Sequence, residues 1–159
     1  MEKLFSLPAH PLLVHIPVVL LPLAALCAVL IAGRTAWFER FKWAVLALAG
    51  AGAIGGILAV ESGEKLAATA SVEDQIAIAS HQEMGETART MGVLFFFAVL
   101  AWVLIPVLLK RRGGDVKTAK IAKIALTAVV VLTAIGSVYW IVKTGHSGAT
   151  RAWEDFGKE

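Results

Sequence analysis

The side chains in this 159-residue chain best suited to holding a metal ion or a haem iron are four histidines: His10, His15, His81 and His146. Neutral imidazole is the commonest protein ligand for transition metals and changes charge near physiological pH. Two histidines on different helices suffice for a six-coordinate b-type haem, whereas three with a carboxylate or water suit zinc, copper or non-haem iron. The candidate metal ligands are His15, His81 and His146. His10 joins them as a more peripheral cofactor ligand, because it sits beside Pro11 where a helix can begin. Glu64, Glu83, Met84 and Tyr139 fall near the same end of the chain's apolar stretches and could orient a ligand or complete its shell. The single cysteine, Cys27, rules out an internal disulfide, a Cys-based zinc site and covalent haem attachment. No P-loop, dinucleotide fingerprint or nucleophile elbow is present. No catalytic residue is therefore assigned, and the chain is not expected to be an enzyme by itself.

The elements that must position these histidines are apolar. Hydrophobic residues make up 58% of the chain and charged residues 17%, against an apolar share of about 45–50% in soluble domains. Four stretches, about 12–32, 43–61, 90–110 and 120–143, approach the roughly 20 helical residues that cross a hydrocarbon core of about 30 Å. The first is too long for the apolar region of a secretory signal, contains Pro17 and Pro22, and ends against Arg34 as a retained span does. The expected fold is an all-α bundle of four transmembrane helices, a single integral membrane domain over 1–159.

Charge orients it. The 33–42 and 110–123 connections hold nine basic and two acidic residues, while the rest of the chain holds six basic and ten acidic. Short connections rich in Lys and Arg stay in the cytoplasm, so both termini and the 61–89 segment are expected outside. All four histidines then lie near the outer face. Trp37 and Trp43 flank the first basic connection, and Tyr139 and Trp140 approach the opposite surface, as interfacial aromatics do. Trp102 falls mid-span and is expected to pack.

Local signals refine the register. Pro17 and Pro22 predict a kink or a freed carbonyl near Leu13. Gly50, Gly52, Gly55 and Gly56 give the second span a small-residue face that lets another backbone approach. Ser71 followed by Asp74 predicts a capping box that starts a short outer amphipathic helix leading into the third span. At about 100° per residue, His81 shares a stripe with Ala77, Met84, Gly85, Ala88, Gly92 and Phe95, which turns it inward. The fourth span is expected to end near Lys143–Thr144, with Gly145 as its C-cap and a short amphipathic tail through Glu159.

The run His10-Pro11-Leu12-Leu13-Val14-His15-Ile16-Pro17, the later His81, and Thr144-Gly145-His146-Ser147-Gly148-Ala149 resemble the bacterial four-helix membrane family catalogued as domain of unknown function 2231. The resemblance covers nearly the whole chain and implies a fold and a location, not an activity. Some relatives are similar to modules fused to cytochrome c-like domains, which implies a redox role by association. Where relatives end in Gly-Gly-x-x-Val-Tyr, this chain reads Gly148-Ala149-Thr150-Arg151-Ala152-Trp153.

The expected function is that of a small, multi-pass bacterial inner-membrane protein, both termini outside, which binds haem b or a Cu, Zn or Fe ion through outer-face histidines. Because the inner half carries no histidine, electrons would be exchanged with a periplasmic redox partner or quinol, not across the bilayer. A second expectation is a non-enzymatic accessory or scaffold subunit without a cofactor, whose histidines are structural. A metal transporter ranks third, since charged residues are absent from the interiors of all four spans, where transporters usually keep one. Lipid is the expected surrounding, self-association is open, and no nucleic-acid partner is expected.

Overall fold

In the computed structural model, residues 3–4, 7–113 and 115–153 are described. Two two-residue strands, β1 (Lys3–Leu4) and β2 (Leu7–Pro8), pair antiparallel and lead into helix α1 (Ala9–Leu13). Then follow α2 (His15–Ala32), α3 (Thr35–Ala67), α4 (Val72–Arg111) and α5 (Val116–Trp153). Four units are long and apolar enough to cross a membrane, α1 with α2 counting as one. The chain is thus an all-helical, multi-pass membrane protein. Neighbouring helices in sequence pack side by side, and α5 closes the ring against α2.

Proline explains the break between α1 and α2. Pro17 has no N–H for the Leu13 carbonyl, and the helix is interrupted at Val14, where the kink was expected. Ser71 caps α4 by accepting from the Asp74 amide at 3.2 Å, and α4 then runs unbroken for 40 residues. That is about 60 Å at 1.5 Å per residue, twice the hydrocarbon thickness, so the polar residues 72–89 are left beyond the apolar stretch. Two other helices also outrun expectation. Helix α3 begins at Thr35 and continues to Ala67. Helix α5 passes straight through Gly145 to Trp153, so Gly145 is not a C-cap. The reason is tertiary, since side chains of α5 beyond Lys143 bond to α4. The rest of the expected tail, 154–159, lies outside the described residues.

The core is built where small residues admit large ones. Leu21 of α2 is 1% exposed. A Cβ on Gly52 of α3 would stand 2.7 Å from its Cγ, and one on Gly92 of α4 would stand 2.8 Å from its Cδ1. A Cβ on Gly55 would collide with Ile16 and come within 3.2 Å of Pro17 Cδ. At the opposite, lysine-rich end, Phe38 and Trp102 meet edge to face at 4.6 Å. Trp102 is fully buried, and its Nε1 donates to Thr127 Oγ1 at 2.9 Å. Lys123 lies over the Phe38 ring at 4.1 Å, while buried Lys42 pairs with Glu39.

Gly55→Ala forces α1 and α2 off α3 and should lower stability by about 1–3 kcal/mol, the usual cost of overpacking. Gly145→Ala, with nothing within 4 Å of the added carbon, should instead be neutral or stabilising, by up to about 1 kcal/mol. Thermal unfolding of the detergent-solubilised variants, followed by tryptophan fluorescence, measures both.

Candidate binding site at the histidine end

His10 enters the bundle from α1. Its ring lies against α3, with Nδ1 2.9 Å from the Ala59 carbonyl oxygen. A carbonyl can only accept, so Nδ1 carries a proton, which in the neutral ring leaves the lone pair on Nε2. The Ser62 hydroxyl donates to the same carbonyl at 2.9 Å and lies 3.5 Å from His10 Nδ1. The ring fits because residue 63 is glycine; a Cβ there would stand 3.0 Å from both Cε1 and Nδ1. An imidazole whose Nδ1–H is bound to a backbone carbonyl has its tautomer and orientation set in the way metal-binding histidines usually have them.

His81 arrives from the polar part of α4. Its ring lies against α5 at Gly148, where a Cβ would stand 3.0 Å from Cε1. Its Nδ1 is buried and has no hydrogen-bond partner among the described residues, an arrangement that costs free energy wherever a polar atom is cut off from water. Burial lowers its proton affinity below the ordinary value of 6.5, and positive charge on His10 and on Arg151 lowers it further. Two ties hold α4 to α5 around His81: Thr144 Oγ1 donates to the Met84 carbonyl at 3.1 Å, and Arg151 Nη2 donates to Ser80 Oγ at 3.3 Å.

The remaining expected residues are placed differently. The His15 ring bonds back to the Pro11 carbonyl of its own segment at 2.7 Å and is exposed. His146 is exposed on α5. His15, His81 and His146 therefore do not gather, and among the described residues no three of His, Cys, Asp and Glu come together as a metal group. His10, expected at the periphery, has its ring bonded to α3 at the Ala59 carbonyl, and its charge is one of those that act on His81. Glu64, Glu83 and Glu86 are exposed, Met84 is half-buried beside the tie from Thr144, and Tyr139 points outward at 57% exposure against Trp140.

Ser62, Gly63, Gly148 and Arg151 were not anticipated as parts of a site. Gly148 read only as part of a motif. What gives them a role is that each meets a histidine or its neighbour from another helix, and no local pattern encodes that.

Because folding keeps His81 neutral, the unfolded chain binds more protons in the acid range. Stability is full above pH 6.5, the unfolded value, and falls as pH drops below it. Melting temperature should decline by a few degrees between about pH 7.5 and about pH 5.5, and His81→Gln should flatten that slope. A series of thermal melts across the range reads both.

Neither the curated proteins nor the solved structures contain a match to this chain. A family model described as "Predicted membrane protein (DUF2231)" matches residues 6–157. That span takes in the histidine-bearing α1 and α2, the whole of α3 and α4, and α5 with His146 and Gly148. The chain is a member of the DUF2231 family of predicted membrane proteins.

Proposed function

We propose that this chain is a small inner-membrane protein that holds one transition-metal ion between His10 and His81 at the outward-facing end of its bundle. There it exchanges electrons with a periplasmic partner or quinol. The observations that carry this reading are two separately prepared imidazoles at the same end of the bundle. His10 has its Nδ1–H bound to the Ala59 carbonyl, leaving Nε2 free, and His81 keeps a buried Nδ1 without a partner. In the neutral rings, His10 offers its Nε2 lone pair, and His81 offers that of Nδ1 when its proton sits on Nε2. The charge partition along the sequence supports placing this end outside.

The number of ligands bears on the ion. Structural zinc takes four ligands, and no third His, Cys, Asp or Glu joins the pair among the described residues. Reduced copper accepts fewer ligands and favours soft ones. Met84, one turn along α4 from His81, could supply a thioether. Close seating of both rings on glycine backbone favours a small ion over a haem.

A second reading, a scaffold whose histidines only tie helices together, is favoured by the bond from His10 to α3. Purified protein from copper- and iron-replete cells separates the two by metal analysis and visible absorption. One metal per chain is expected, falling about tenfold or more in His10→Ala and His81→Ala, as ligand loss does, while helix content by circular dichroism is retained. A colourless, metal-free wild-type protein overturns the metal reading. A haem spectrum keeps the histidines as ligands but replaces the ion.

A further inference from the structure

At the border between the polar and apolar parts of α4 there is a cation without a counter-ion. The described basic residues at the histidine end are otherwise accounted for: Lys65 is exposed, Lys143 lies over Trp140 at 4.6 Å, and Arg151 bonds Ser80. Arg89 is half-buried, and among the described residues no carboxylate or other side chain pairs with it. Its backbone passes close to α3, with its Cα 3.9 Å from where a Gly56 Cβ would stand.

Arg89 also lines a groove. A cavity of about 350 Å³ opens between α3 and α4, walled by Ile57, Thr90, Val93 and Leu94 beside Arg89. The Thr90 hydroxyl is already spent on the Glu86 carbonyl at 2.9 Å. The groove therefore offers one cationic donor group at its mouth and an apolar floor beneath. One helical turn deeper, Ile54 of α3 and Phe97 of α4 continue the apolar track as exposed side chains. A charged head, an apolar tail and a position where the apolar stretch of a membrane helix begins together describe one kind of occupant.

We infer that the groove beneath Arg89 binds one anionic phospholipid, its phosphate paired with the Arg89 guanidinium and an acyl chain laid along Ile57, Val93 and Leu94. Guanidinium matches a phosphodiester through two parallel donors, and the bilayer presents that phosphate at the depth where the polar residues of α4 give way to apolar ones. Ile57 and Leu94, 37% and 48% exposed, then gain a specific neighbour in place of exchanging bulk lipid. The inference stands apart from any metal at His10 and His81, because it uses none of the same side chains.

The full chain, delipidated in a mild detergent, tests this by native mass spectrometry and thermal melting against vesicle-derived lipids. The lysine-rich end also attracts anionic lipid, so each measurement compares wild type with Arg89→Gln and with Lys117→Gln as a control for that end. Phosphatidylglycerol should be retained and should raise the melting temperature of wild type and Lys117→Gln alike. Arg89→Gln should retain about fivefold less, as expected for one basic residue at a membrane surface, and Arg89→Lys should recover part of it. Leu94→Trp, which fills the groove and leaves the charge, should also displace the lipid. Equal retention by Arg89→Gln and wild type overturns the inference, as does equal stabilisation by phosphatidylcholine or by inorganic phosphate.

Discussion

The rest of the bundle depends on how closely α2 can lie on α3. In lipid there is no hydrophobic gain from bringing two apolar helices together, so association relies on packing and on the few polar bonds available. Glycines 52 and 55 supply the closeness, receiving Leu21 from one side and Ile16 with Pro17 from the other. That contact fixes the level of the short α1 segment above α3. Only then does the His10 ring reach the Ala59 carbonyl, and only then does Leu21 meet Gly92 of α4. Core packing and the histidine pair follow from the same pair of glycines.

The two ends of the molecule meet opposite demands with the same means. At the lysine-rich end, positive charge is absorbed by aromatic faces and one carboxylate: Lys123 over Phe38, Arg34 over Trp37, Lys42 with Glu39. These cations are held near apolar surface without being stripped of partners. At the histidine end, burial with nearby positive charge favours the neutral form of His81. Charge is distributed around the bundle, while half-buried His10 and His81 each lodge their rings against a neighbouring helix.

Much of this was legible in the sequence where the cause is local. Apolar length marks four spans, Ser71 and Asp74 announce the start of α4, the prolines announce the break at Val14, and a mid-span Trp102 reads as core. The histidine geometry was not legible, for a definite reason. His10 and His15 are five residues apart, about 140° around a helix, so one segment cannot turn both inward. Which one enters depends on the break between α1 and α2 and on where Gly63 lies, 53 positions away from His10. The continuation of α5 through Gly145 escaped for a similar reason. A glycine reads as a stop in isolation, but bonds to α4 outweigh its cost. The resemblance of the histidine and glycine runs to the DUF2231 family pointed to the four-helix architecture without indicating which ring faces which.

The Ala59 carbonyl accepts both the His10 ring and the Ser62 hydroxyl. An oxygen has two lone pairs, and in a helix this one also faces the amide four residues on, that of Gly63. Three donors thus converge on one acceptor at the point where α3 leaves the apolar region, and the residue there has no side chain to stiffen it. The His10 ring thus competes with the helix's own amide for that oxygen, and in doing so it ties the last turns of α3 to α1.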